Sequence, residues 1–304
     1  RSMSNILQSD IWARFQESNG HTVIRKSGNG WSYLATVEGG ATGRYLYSPY
    51  GPVASSAVAF DEALASLKEE AAKLRCLFVR IEPTESAIWG DQDAATFLAR
   101  RGAVLAPRQV QPSHTQIIDL SGSEDEILKG MIPSYRNRHR NLHKKGVTVE
   151  VSTNPSDMTI LFGFLEETAD RNGFNRQQDE YLMQVARVLM PAGAASLYIA
   201  KLTDENGEST PIAAAFVYDS DDTRTYAHAA ASFEHRNLSA GVVVVTNFIL
   251  DAKRKGLKYV DLFGIAPEDQ PDHEWAGFTK FKKSFGGESV EYPGTWDCLL
   301  YTSP

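Results

Sequence analysis

R-T-Y-A-H-A-A-A-S-F-E-H-R-N-L-S-A-G-V-V-V-V-T-N-F-I-L-D-A-K-R-K-G-L-K-Y-V-D-L-F, residues 224–263, reads as strand, loop, helix and strand in turn. The strand covers residues 224–230, the helix 242–255 and the second strand 258–263. Strands at 196–201 and 212–218 precede it, behind helices at 158–171 and 179–189. A short helix at 277–285 and a strand pair at 289–292 and 297–301 follow.

The first half runs in the same order. Ser9-Asp10 caps a short helix carrying Ile11, Trp12 and Phe15, and three strands follow at 22–25, 31–37 and 45–48. A helix at 57–74 buries Phe60, Leu64 and Leu67 on one face, ahead of strand 76–81, helix 94–101 and strand 115–120. Helix, three-strand meander, long helix, strand, short helix, strand therefore occurs twice, as a duplicated unit would give. The order resembles the GCN5-related acyltransferase (GNAT) architecture, which speaks to fold and not to chemistry. The expected class is α/β (α+β): two tandem GNAT-like domains, each a mixed, mostly antiparallel sheet flanked by helices. We place the first at residues 3–122, completed by a C-terminal strand within 293–304, and the second at 123–292.

Composition narrows the field. The 304 residues are 42% hydrophobic and 23% charged, enough for two cores, and no segment is biased enough to read as disordered. No apolar run approaches the roughly 18–20 residues that span a bilayer. The start lacks a charged region followed by an apolar run, and Arg1 and Ser2 ahead of Met3 read as a cloning remnant. A cytoplasmic protein is expected. Cys76 and Cys298 stand alone in strand-like contexts and make neither a disulfide framework nor a metal site. A net charge of −7 argues against wholesale binding of nucleic acid while leaving room for a local basic groove.

Two cationic stretches stand out in this acidic chain. In G-F-T-K-F-K-K-S-F-G-G, residues 277–287, Phe278, Phe281 and Phe285 recur at helical spacing, and paired glycines end the helix. Lys280, Lys282 and Lys283 fall elsewhere on the turn. They are either solvated lysines or a cationic site held rigid by an aromatic stripe, suited to a phosphate or an oxyanion. Between the halves, the capping box Ser123–Glu126 starts a helix through Met131, and after Pro133 come residues 135–146, without an acidic residue. There Arg136, Arg140 and Lys144, four apart, line one face of a helix, either a solvated face or a phosphate track.

A coenzyme A site would need [RQ]-x-x-G-x-[GA] between strand and long helix, where backbone N–H groups cradle a pyrophosphate. Arg236-Asn237-Leu238-Ser239-Ala240-Gly241 keeps Arg236 and Gly241 but has Ser239 at the required glycine. The equivalent Gly51-Pro52-Val53-Ala54-Ser55-Ser56 has no match. The fold with a degraded coenzyme motif points to an acyl transferase with another donor.

Taken together, ordered pieces along the chain resemble the FemABX family of peptidoglycan interpeptide-bridge aminoacyltransferases. They include Leu7-Gln8 with Trp12, Tyr50-Gly51-Pro52-Val53, Arg80-Ile81-Glu82-Pro83, Gln111-Pro112 with Thr115 and Asp119-Leu120, Arg136 and Arg140 with Lys144-Lys145-Gly146-Val147, and Arg171-Asn172-Gly173-Phe174. Glu234-His235-Arg236-Asn237-Leu238, Tyr259-Val260-Asp261-Leu262-Phe263-Gly264 and Phe281-Lys282 with Phe285-Gly286-Gly287 continue the series. The resemblance implies tandem GNAT-like domains, here of the compact type without a coiled-coil arm. It implies transfer of an amino acid from aminoacyl-tRNA to the third-residue amine of the stem peptide. The acceptor would be UDP-MurNAc-pentapeptide or lipid II, with no cofactor beyond aminoacyl-tRNA as co-substrate and room for peripheral association with the inner membrane face.

By the same resemblance Lys282 with Phe281 would meet the tRNA 3′ end and the reacting ester, and Arg176 and Tyr181 would bind the acceptor. Tyr226, His228 and Arg236 join the substrate-binding candidates, and Arg136, Arg140, Lys144, Lys280 and Lys283 the tRNA-binding ones. Asp261 and His228 are candidate bases; Asp261 as a turn cap and His228 as a structural residue are the plainer readings. Two departures bear on the acceptor: Tyr50 stands where the family often has arginine, and Tyr226-Ala227-His228-Ala229 lacks the usual glycine. The rivals are a coenzyme A-dependent N-acyltransferase, which acetyl-CoA binding would revive, and a non-catalytic precursor- or tRNA-binding module, which would bind without transfer.

Overall fold

The structure, a computed structural model, describes residues 2–172, 178–270 and 272–300. The chain divides into two compact units, Arg1–His114 with Glu291–Pro304, and Thr115–Val290. Up to His114 the order is α1 (Asp10–Ser18), β1 (Val23–Gly28), β2 (Trp31–Glu38), β3 (Tyr45–Ser48), β4 (Val53–Ala54), α2 (Ala57–Lys73), β5 (Phe78–Ile81), α3 (Ala94–Arg100) and β6 (Ala103–Leu105). Then follow β7 (His114–Asp119), α4 (Glu124–Lys129), α5 (Pro133–Asn141), β8 (Val147–Ser152), α6 (Met158–Asn172) and α7 (Gln178–Leu189). After them come β9 (Ala195–Thr203), β10 (Ser209–Asp219), β11 (Thr223–Ala231), α8 (Ala240–Arg254), β12 (Tyr259–Gly264), α9 (Ala276–Lys283), β13 (Glu288–Glu291) and β14 (Trp296–Leu299).

The duplicated order is visible in the sheets. In one, β1, β2 and β3 pair antiparallel and β5 returns parallel to β3 after α2. In the other, β9, β10 and β11 pair antiparallel and β12 returns parallel to β11 after α8. A parallel step needs a crossover, and each long helix supplies it. The strand orders are β1-β2-β3-β5-β14-β6, with β4 on β2, and β13-β7-β12-β11-β10-β9-β8. In the first unit Phe60, Leu64, Leu67 and Phe97 pack on the sheet; in the second, Val242–Ile249 of α8 does so with Ile118, Val217 and Val260.

One expectation needs correcting. The sequence pattern puts strand 115–120 at the end of the first domain, but β7 pairs antiparallel with β12 in the second sheet. Thr115, Gln116, Ile117 and Ile118 are all buried, as a central strand requires. The place beside β5 in the first sheet is taken by β14. Two strands, β4 and β6, are too short to show alternation, whereas β8, V-T-V-E-V-S, alternates over its whole length and is missed by the sequence reading. No helix of the described residues is long and apolar enough to cross a membrane.

Candidate active site

The basic helix α9 follows β12, and its two ends are held differently. At its C-terminal end the Ile132 amide donates to Ser284 O at 3.0 Å, and the Gln116 side chain donates to Gly286 O at 2.6 Å. Gly286 has φ 91, and a methyl there would stand 2.6 Å from the Gly130 carbonyl oxygen, so no other residue fits without movement. Phe285 is buried, with its ring 5.0 Å from Tyr135 and 5.0 Å from Phe281. The aromatic stripe thus divides. Phe281 and Phe285 turn toward the core, whereas Phe278 stays 42% exposed beside Trp275.

Lys282 is the buried lysine of this helix, 9% exposed. Its Nζ donates to Gly264 O at 2.7 Å and lies 4.9 Å from the Phe278 ring centroid and 5.7 Å from that of Tyr226. Burial lowers its pKa to about 8, against the opposing pull of Asp261. An ammonium bounded by two ring faces and a carbonyl is desolvated yet still charged at neutral pH, which suits it to meeting a negative oxygen.

The carbonyl that holds Lys282 comes from a distorted end of β12. Phe263 has φ 70, a conformation that costs a non-glycine residue on the order of 1 kcal/mol. Asp261 offsets this by accepting from the Phe263 amide at 2.8 Å and from the Thr115 hydroxyl. The carboxyl of Asp261 is 3% exposed, and burial raises its pKa against the opposing hydrogen bonds and Lys282. β11 and β12 pair over Thr223–Thr225 and Tyr259–Asp261, while β11 continues to Ala231 and β12 to Gly264. Tyr226 and Gly264, two of the neighbours of Lys282, lie beyond that ladder.

Ala227 separates two candidates. Phe216 pairs with His228 and Val217 with Tyr226, so Ala227 is the extra residue of a β-bulge. Neighbouring strand positions point to opposite faces, and the bulge therefore sends Tyr226 and His228 apart. Tyr226 packs on Phe248 of α8, ring centroids 5.2 Å apart, and burial raises its pKa. His228 instead meets Tyr218 edge-on at 6.5 Å, and burial lowers its pKa to about 4. Tyr181 of α7, partly exposed, also interacts with Tyr218. Arg176 lies outside the described residues.

The remaining cations are spread out. Arg236 stacks on Phe233 at 3.9 Å and donates to its carbonyl. Lys280 is exposed, and Lys283 is 3.8 Å from Glu268. Arg136 and Arg140 are on α5, which buries no side chain. Lys144 does not continue their face: α5 ends at Asn141, and a 3-10 turn, Leu142–Lys145, buries Leu142 before left-handed Gly146. Within the same run Arg138 donates to Leu238 O at 2.8 Å.

That bond braces the loop ahead of α8, the place of a coenzyme pyrophosphate. Ser239 there has φ 49, the left-handed conformation a glycine adopts freely. Ala240 and Val242 of the first helical turn are buried, and a methyl on Gly241 would touch the Phe281 ring at 3.6 Å. Arg236, Asn237 and Ser239 are exposed and Gly241 partly so, and the departure from a pyrophosphate cradle is the Ser239 side chain at the left-handed position where the cradle needs glycine. Phe278, Gly264 and Thr115 stand in stretches that the sequence marks, but without individual roles; only the folded chain brings the last two to Asp261 and Lys282.

Comparison with known proteins agrees with this architecture. Residues 133–275 match an acetyltransferase (GNAT) domain model. Aminoacyltransferase FemA of Staphylococcus aureus is 29% identical over 94 residues, 31% of this chain and 22% of FemA. The match spans about a fifth of that relative's length. A crystal structure of FemX has TM-score 0.86 at 19% identity, covering 97% of this chain and 92% of that one. A tandem GNAT protein from the clavulanic acid biosynthesis pathway has TM-score 0.56 at 17% identity, covering 93% and 85%.

Proposed function

We propose that the chain is an aminoacyltransferase of peptidoglycan bridge synthesis of the FemABX family, a reading that the stretch similar to FemA, the FemX-like fold and the GNAT domain match support. In this reading it moves an amino acid from aminoacyl-tRNA to the third-residue amine of UDP-MurNAc-pentapeptide or lipid II, at the cytoplasmic face of the membrane. The observation that carries the reading is the desolvated Lys282 ammonium held by Gly264 O beside Tyr226 and Phe278. Ser239 at the left-handed position ahead of α8, where a pyrophosphate cradle needs glycine, supports a donor other than coenzyme A.

An aminoacyl ester is already activated, so the protein has to align the amine and stabilise charge. The acceptor nitrogen bonds to the ester carbonyl carbon while the carbonyl electron pair moves to oxygen. Lys282 offsets that oxyanion. Collapse forms the amide and expels the ribose oxygen, which takes up a proton as the amine nitrogen loses one. Asp261 is turned inward onto Thr115 and Phe263, and His228 is on the other side of the sheet from Tyr226, so neither enters as the base. Tyr181, with Arg176, would serve the acceptor, and Arg136, Arg140, Lys144, Lys280 and Lys283 the tRNA backbone.

The test is mass spectrometry of UDP-MurNAc-pentapeptide incubated with protein and a mixture of charged tRNAs, with lipid II and acetyl-CoA arms in parallel. A gain of one amino-acid residue on either precursor is expected. An acetyl product alone would replace this reading with a coenzyme A-dependent one, and precursor binding without any product would make the chain a binding module.

A further inference from the structure

Resting on that reading, we infer that Thr115 and Asp261 are positioning residues that together set the turn aiming Gly264 O at Lys282. The register of β7 and β12 shows how. Asp261 pairs with Ile117 and Gly264 with Thr115, so three steps along β12 oppose two along β7. The extra residue makes a bulge, and bulges re-aim the groups beside them. Phe263 takes the left-handed conformation inside it.

Asp261 Oδ1 closes the bulge from within, accepting the Phe263 N–H and the Thr115 hydroxyl. Thr115 is 0% exposed and stands opposite Gly264 in the ladder, so one residue meets both ends of the distortion. The Gly264 carbonyl is thereby presented to Lys282 Nζ. Among the described residues, Asp261 on β12 and Tyr226 on β11 are the titratable groups that act on Lys282, whose own helix adds Lys280 and Lys283. Asp261 thus acts on Lys282 twice, by charge and through the carbonyl it aims.

The proposal is tested with Thr115→Val, which removes one hydroxyl at nearly constant shape, Asp261→Asn, which keeps an acceptor oxygen but drops the charge, and Thr115→Ser as the rescue. Thr115→Val is expected to lower kcat roughly 10- to 100-fold with KM for both substrates within about twofold, and Thr115→Ser to restore it. Combined with Lys282→Ala, Thr115→Val should cost nothing further, because both act through one ammonium. Lysine-selective NMR titration without substrate should show the Lys282 pKa of Asp261→Asn falling below about 8. Unchanged kcat and unchanged Lys282 titration in Thr115→Val and Asp261→Asn would overturn the proposal while leaving the aminoacyltransferase reading intact. If no transfer is found with the unmodified protein, that reading fails and the titration alone decides the positioning role.

Discussion

Arg136 and Arg140 lie on a helix that buries none of its side chains, whereas α9, equally basic, buries Lys282 to 9% exposure. Both stretches stand out for the same reason, positive charge in an acidic chain. They differ in what surrounds the charge. Arg140 is exposed and Arg136 half-buried, so water does most of the solvation there and their charge holds mainly long-range electrostatic value, screened by salt. Around Lys282 two aromatic faces and one carbonyl replace water, so its charge acts at short range in a low dielectric. A buried ammonium is costly even with one hydrogen bond, and perturbed ionisable groups of this kind cluster at functional sites. On the proposed function, this contrast would give α9 the chemistry and α5, at most, docking.

The largest effect that can break this contrast is loss of Lys282. On the proposed function, Lys282→Ala should reduce transfer roughly 100- to 1,000-fold, in keeping with removal of one oxyanion partner. The measurement is single-turnover transfer from charged tRNA. Near-normal turnover would put Lys282 on the same footing as the α5 arginines.

How much of this is legible in the sequence follows from how far each signal travels along the chain. The two crossover units are legible because periodicity reports local structure: α2 and α8 and their flanking strands fall close to the ranges read from apolar spacing. The partner of β7 is not, because its run of buried residues suits either sheet and says nothing of which strand lies beside it. At α9 periodicity marks the helix and its stop, yet gives Lys280, Lys282 and Lys283 equal standing. The family resemblance picks out Lys282, and the arrival of Gly264 and Tyr226 supplies the physical reason. The role of Thr115 is hidden because its partner is 146 residues away. Even the departure at Ala227 reads only as a missing glycine, while its effect, the parting of Tyr226 from His228, needs the ladder.

A second, smaller effect sharpens the comparison through pH. The folded pKa of Lys282 lies near 8, below its ordinary 10.5, so the cost of burying its charge is fully present below about 8 and is relieved above it. Between those values the unfolded chain binds more protons, and stability should rise with pH. The limit is about 3 kcal/mol relative to Lys282→Met, which buries a similar stem without the charge. Transfer that needs the ammonium should move the other way, falling as pH rises through about 8. Denaturant titrations and pH–rate profiles over this range check both signs. Lys282→Arg should remove the alkaline fall, because a guanidinium stays charged throughout. A rate that rises through pH 8 and stays high would mean that the neutral amine acts instead.

The smallest effect belongs to the solvated stretch, and it tests whether the contrast is one of kind. If Arg136, Arg140 and Lys144 only track phosphates, replacing all three with alanine should raise KM for charged tRNA several-fold and leave kcat unchanged. The slope of log affinity against log salt should become shallower by roughly one for each phosphate no longer neutralised. Because Lys144 sits on the 3-10 turn and not on α5, its contribution should be separable from the other two, with the Arg136/Arg140 pair accounting for a joint change. Arg138 is the control within the same run. Its bond to Leu238 O ties it to the loop ahead of α8, so Arg138→Ala should lower thermal stability while changing the salt slope least. A triple variant that loses kcat at unchanged KM and slope would show that α5, despite its exposure, reaches the chemistry, and the division between the two basic stretches would have to be redrawn.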